Sequence, residues 1–112
     1  MKEIKAYIRT DALEKTVEAL KEAKAPGITV TSVHPVGYGF DPNYFTEDRS
    51  IIKRYWDITK IEVVCTDNDM ERLVEVIREN SFTGSKGDGM IFVTAVERAI
   101  RIRSGEEGET AL

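Results

Sequence analysis

Residues 83–93 read TGSKGDGMIFV, with three glycines, a lysine and an aspartate packed into the first seven positions. Two chemistries suit such a segment. Glycine lets backbone N–H groups approach an anion with no side chain between them, so the loop could cradle a phosphate. The same residues also make a turn that feeds the apolar run after Gly89 into a strand. Elsewhere the supply of reactive groups is thin. The chain has one histidine and one cysteine, with no recognisable pairing of a serine with a base. His34, Asp41, Glu47, Asp48 and Cys65 are possible metal donors, but no two histidines or cysteines share a ligand spacing, and no metal site is expected.

Composition narrows the class. A chain of 112 residues with 41% hydrophobic and 32% charged residues suits one compact domain spanning 1–112, and small domains of this kind often gain burial by forming oligomers. The formal charge of −4 argues against nucleic acid as a main partner. Cys65 has no intrachain partner, which points to a reducing compartment. The N-terminus lacks the apolar core of a signal peptide, and no stretch approaches the length of a membrane span. The expectation is a cytoplasmic protein with no direct membrane insertion.

The elements that must carry the glycine loop follow from periodicity. Ile4, Ala6 and Ile8 alternate with Lys5, Tyr7 and Arg9, the pattern of a half-buried strand. Residues 10–24 place Leu13, Val17 and Leu20 at helical spacing, with Asp11 and Glu14 as a capping box and Pro26-Gly27 as the stop. The β-branched run 28–33 reads as a second strand, and 60–65 as a third with Ile61, Val63 and Cys65 on one face. Residues 66–80 open with an acidic turn and carry Leu73, Val74 and Ile77 on one stripe. Residues 90–96 form the fourth strand. Strand, helix, strand, strand, helix, strand is the split βαβ, ferredoxin-like α+β plan: one antiparallel sheet with two helices on one face.

Residues 37–57, GYGFDPNYFTEDRSIIKRYWD, stand where that plan needs only a short hairpin. A long connection of this kind usually carries function. Tyr55 and Trp56 either begin the third strand and pack into the core or a subunit contact, or share in partner binding. The tip with Phe40, Tyr44 and Phe45 reads as a partner-docking surface, because exposed aromatics favour interfaces.

The stretch 83–93, followed by VERAIRIRSGEEGETAL at 96–112, resembles the carboxy-terminal signature of the PII nitrogen-regulatory signal-transduction proteins. The likeness extends back through residues 60–65 and 26–33, so it covers nearly all of the chain outside 38–57. It implies a non-enzymatic transducer: a ferredoxin-like homotrimer with adenine nucleotide (ATP, ADP or AMP) in the clefts between subunits. It also implies a long loop that docks on a membrane transporter or metabolic enzyme. Gly87, Asp88 and Gly89 match the phosphate-side loop, with Met90 next to them on the nucleotide side. Arg101 and Arg103, in the tail at 97–112, match arginines that reach the phosphates, and their alternation puts both on one side of an extended chain. Thr29, Glu62 and Val64 match positions near the adenine, and Gly37 and Tyr38 lie at the base of the long loop. The alternative for these residues is a hairpin turn, two surface arginines and ordinary strand positions. A weak nucleotide-hydrolysing enzyme, with Glu62 positioning a water, and a structural oligomer that has lost its ligand are the competing functions.

Departures from the family pattern also matter. Met90 replaces a lysine on the triphosphate side, so ATP could lose its advantage over ADP or AMP. Gly39 replaces a glutamine that helps hold Mg²⁺ and 2-oxoglutarate, and Ile58 replaces a lysine that pairs with a 2-oxoglutarate carboxylate. The usual 2-oxoglutarate response is therefore not expected, and the use of Mg²⁺ is left open. Ile51 stands at the family's modified tyrosine. The stretch HPVGYGFDPNYF is similar to a divergent subgroup with an atypical loop.

Overall fold

A computed structural model of the chain describes residues 1–35 and 58–112. Readings that involve Gly37, Tyr38, Gly39, Phe40, Tyr44, Phe45, Ile51, Tyr55, Trp56 and the 37–57 loop lie outside the described residues.

The alternation at the N-terminus becomes strand β1, Lys2–Arg9, with Ile4, Ala6 and Ile8 buried and their neighbours half-buried. It is followed by helix α1, Leu13–Glu22, strand β2, Ile28–Val33, and strand β3, Ile58–Cys65. Helix α2, Asp67–Ser81, and strand β4, Gly89–Ala95, complete the second half. The sheet order is β2-β3-β1-β4, and each neighbouring pair is antiparallel. β1 and β2 therefore run parallel with β3 between them, and β3 and β4 run parallel with β1 between them. Each βαβ half leaves a gap of one strand that the other half fills, which is the ferredoxin-like arrangement.

The core lies between the helices and one face of the sheet. Ile4, Ala6 and Ile8 meet Ile61, Val63 and Cys65 there, under Leu20 of α1 and Leu73 and Ile77 of α2. Burial in this layer pushes the Cys65 thiol above its ordinary pKa, with the nearby Asp69 charge adding to the effect, so the sulfur is an inert core group. The opposite face carries Glu3, Lys5, Tyr7 and Arg9 of β1 and Lys60, Glu62 and Val64 of β3, all half-buried. Strand periodicity alone sends the two sets to opposite sides.

The helix ends depart from expectation in two places. The capping box of Asp11 and Glu14 does not form. Residues Thr10–Ala12 make a 3-10 turn instead, and Ala12 occupies the N-cap of α1 with no side-chain bond. Thr10 is drawn away to the sheet, where its hydroxyl lies 2.8 Å from that of Thr59. At the other end, α1 stops before Pro26-Gly27. Lys24 adopts φ 59°, Ala25 N–H donates to the Leu20 carbonyl and Lys24 N–H to that of Lys21, both at 3.0 Å. This is a Schellman closure made by a lysine where glycine is the usual residue. Arg72 of α2 donates to the Ala23 carbonyl at 2.5 Å, tying the second helix to that end. α2 itself is capped by Thr66, whose hydroxyl accepts from Asp69 N–H at 3.3 Å. The terminal ammonium of Met1 lies 2.9 Å from Asp67 and holds that carboxyl below its usual range.

Candidate functional site

The glycine loop leaves α2 at Phe82 and enters β4 at Gly89, and its organiser is Asp88. One carboxylate oxygen accepts from Thr83 N–H at 2.8 Å and from Gly84 N–H at 3.0 Å. The other accepts from the Thr83 hydroxyl and lies 3.3 Å from Nε of Arg9. Burial alone would raise the Asp88 pKa, but the bonds from Thr83, Gly84 and Arg9 outweigh it, and the carboxyl sits below its ordinary range. Arg9 reaches further into the loop, donating from Nη2 to the Lys86 carbonyl at 2.6 Å. The N–H groups of Thr83 and Gly84 are thus spent on the chain's own carboxylate. The Asp88 side chain serves as the loop's internal anchor.

All three glycines of the loop take positive φ, Gly84 at 84° among them. Gly87 has φ 91°, a region that disfavours side chains. Gly89 has φ 107°, and a Cβ placed there would lie 1.7 Å from the carbonyl oxygen of Tyr7. The chain passes so close to β1 that only hydrogen fits. Met90 then pairs with Tyr7 across the β1–β4 ladder, on the same sheet face as Phe92. Tyr7 and Phe92 meet edge to face, with centroids 6.1 Å apart and planes at 82°. A cleft of about 330 Å³ opens beside the loop, lined by Ile8, Val74, Arg78, Phe82, Met90 and Ile91 among others. The Arg78 guanidinium lies over the Phe82 ring at 5.9 Å.

The other expected ligand residues lie elsewhere. Thr29 of β2 faces Glu62 of β3 in register, and Val64 follows on the same face, opposite Glu3. Lys60 Nζ lies 3.2 Å from Glu62. The row through Thr29 and Glu62 continues to Lys5 and then Phe92. Three strand spacings of about 4.8 Å therefore put Thr29 roughly 14 Å across the sheet from β4.

The tail is further away along the strand direction. It leaves β4 at Ala95, beside Met1, where Val96 N–H donates to the Met1 carbonyl at 3.1 Å. The glycine loop enters at the opposite end of the same strand. The expected extended run through Arg101 and Arg103 is not formed. Ile100 bridges Glu107, Arg101 N–H donates to the Glu106 carbonyl, and residues 102–104 make a turn. The chain turns back so that Gly108 N–H donates to the Ala99 carbonyl at 3.0 Å, and Gly105 and Gly108 take positive φ along the way. Arg101 Nη2 donates to the Ala111 carbonyl at 3.0 Å, and Arg103 is exposed at the turn. Within one protomer the structure assembles Gly87, Asp88, Gly89 and Met90, and separately Glu62, Val64 and Thr29, but it does not bring the tail arginines to the glycine loop.

Arg9 and Thr83 were not singled out from sequence as site residues. A hydroxyl five residues before an aspartate in a glycine-rich loop was the available signal for Thr83. Arg9 looked like one more polar residue in an alternating strand, and only the register reveals its reach. Among the described residues, no three His, Cys, Asp or Glu side chains cluster as a metal would require. No described helix is long and apolar enough to cross a membrane.

A family model described as nitrogen regulatory protein P-II matches residues 1–106. The chain is 41% identical to nitrogen regulatory protein P-II 2 of Methanothermobacter thermautotrophicus, over all of this chain and 97% of that protein. It is 39% identical to nitrogen regulatory protein P-II of Azospirillum brasilense and 38% identical to that of Pasteurella multocida, each over the full length of both chains.

Proposed function

Since the chain belongs to the P-II family of nitrogen regulatory signal transducers, and is a regulator and not an enzyme, we propose that it senses adenine nucleotide in clefts between copies of itself. The observation that carries this reading is the division of the candidate residues. Gly87, Asp88, Gly89 and Met90 stand at one end of the sheet, while Arg101 and Arg103 leave from the other. One protomer cannot close its own site, but the tail of one copy set against the glycine loop of another can. A homotrimer supplies three such junctions, with Thr29, Glu62 and Val64 near the adenine and, at the phosphates, loop N–H groups other than those of Thr83, Gly84 and Ser85, which are bonded within the loop.

Met90 offers no charge to a terminal phosphate, so ATP has little advantage over ADP or AMP. Ile58 is apolar and buried, which leaves no cation there for a dicarboxylate, and the usual 2-oxoglutarate response is absent. The nucleotide signals by favouring one state of the 37–57 loop, whose Phe40, Tyr44 and Phe45 dock on a transporter or metabolic enzyme in the cytoplasm. Differential affinity for the two states is the thermodynamic requirement.

Titration calorimetry with ATP, ADP and AMP on a protein of known mass in solution tests this reading. The expected result is a trimer that takes up one nucleotide per protomer. Co-assembly sharpens the test. Met90→Glu and Arg103→Glu should each abolish binding alone, whereas mixed oligomers regain sites in which an intact loop meets an intact tail. No binding of any of the three nucleotides leaves only a structural oligomer and sinks the proposal.

A further inference from the structure

A carboxylate stands near the end of the proposed phosphate cradle, one residue before β4, where its charge opposes the anion. It cannot simply be dispensed with, because Asp88 is the acceptor for the N–H groups of Thr83 and Gly84 and for the Thr83 hydroxyl. The next side chain along, Met90, brings no charge to offset it. The cation set against this carboxylate comes from another element. Arg9, the last residue of β1, places Nε 3.3 Å from Asp88 and Nη2 2.6 Å from the Lys86 carbonyl. The Arg9 and Asp88 side chains are 20% and 21% exposed, so solvent screens the pair less than it would on an open surface. A guanidinium keeps its charge at any working pH, and its planar fork lets it hold a carboxylate and a carbonyl together.

We propose that Arg9 is a specificity-determining residue of the phosphate loop: by neutralising Asp88 it allows a loop organised around a carboxylate to accept a polyphosphate. This rests on the nucleotide-binding reading above and adds to it the residue that sets how the site counts phosphate charge. Without Arg9, no cation among the described residues is paired with Asp88, which then lies within a Debye length of the phosphates in the proposed site, and the repulsion grows with each phosphate charge. The penalty therefore rises from AMP through ADP to ATP.

The test is calorimetric titration of all three nucleotides into the full chain carrying Arg9→Gln, Arg9→Lys, or Arg9→Gln with Asp88→Asn. Glutamine keeps a hydrogen-bond donor for the loop but no charge, so it guards against simple collapse. Circular dichroism and a thermal melt without ligand verify each fold. Arg9→Gln should weaken ADP about tenfold, ATP more and AMP less. Arg9→Lys should stay close to the unmodified chain. The double variant should recover most of the loss, because the asparagine oxygen still accepts from the loop N–H groups without the charge. An equal loss for all three nucleotides, or no recovery with Asp88→Asn, makes Arg9 a brace only and overturns the inference. If the unmodified chain binds none of the nucleotides, the functional reading falls and this inference falls with it; intact binding that is indifferent to Arg9 overturns the inference alone.

Discussion

The glycine loop at 83–89 and the tail hairpin at 100–107 are matched by resemblance to the same ligand, yet they are built differently. The loop is braced inside the protomer. Asp88 gathers bonds from Thr83, Gly84 and Arg9, and Gly89 is pressed against β1 with no room for a side chain. The hairpin is held by backbone bonds, by Arg101 Nη2 on the Ala111 carbonyl and by an exposed ion pair, Arg98 to Glu107 at 2.5 Å, none of them reaching the sheet core, while Ile102 is wholly exposed between its two arginines. A region braced from within keeps its geometry in the isolated chain. A region that displays an isoleucine and two cations is better suited to being completed by a neighbour, because burying Ile102 and pairing the arginines both need a second surface. The contrast makes loop substitutions tests of stability and binding together, and tail substitutions tests of binding alone.

The largest effect is expected at Gly89. Alanine there combines a disfavoured positive φ with overlap on the Tyr7 carbonyl, and should destabilise the fold by about 2–4 kcal/mol in urea titration. A loss under about 1 kcal/mol would mean that the loop lifts off β1 easily, which would erase the contrast. Asp88→Ala comes next, at roughly 1–2 kcal/mol, since it leaves the Thr83 and Gly84 N–H groups without their acceptor. Its pH dependence has a definite sign. The Asp88 carboxyl is held below the ordinary carboxylate range, so its contribution is full above about pH 4 and is lost as pH falls through the folded value. The Asp88→Ala variant should therefore show a shallower acid-side loss of stability than the parent, and parallel curves would contradict this.

Arg103→Glu probes the other side. Its melting temperature without ligand should match the parent, within about 0.5 kcal/mol of stability, while the stabilisation produced by added nucleotide disappears. An unchanged nucleotide shift would detach the tail from the site. The smallest effect belongs to Arg98→Ala. It removes an exposed ion pair and should cost no more than about 1 kcal/mol, less at high salt. A larger cost would show that the hairpin is braced from within after all.

Much of the fold could be read from period alone. Ile4, Ala6, Ile8, Ile61, Val63 and Cys65 alternate in sequence and share the buried face in space, because the pleat leaves a strand no other choice. Leu20, Leu73 and Ile77 followed the same logic with helical spacing. Helix ends were less legible. Asp11 and Glu14 have the right spacing for a cap, but Thr10 bonds to Thr59, and a competition of that kind involves a residue 49 positions away. Lys24 in the left-handed region was equally hidden, since lysine carries no local preference for it. For the candidate site, residue types could be chosen by resemblance, but their partners could not. The Asp88 carboxylate bonds to Thr83, Gly84 and Arg9, and nothing local in the chain announces the last of these.

From sequence alone came the order of elements, the buried stripes, the family, and the absence of a charge at Met90 and Ile58. These depend on local period and residue chemistry, which tertiary contacts do not alter. Strand register was decided only in three dimensions. It set Arg9 against the glycine loop, Met90 beside Tyr7, and Thr29 opposite Glu62. It also sent the tail arginines to the far end of β4 from the loop. Such placements join residues tens of positions apart through backbone pairing, and no local pattern in the chain encodes which end of the sheet each will reach.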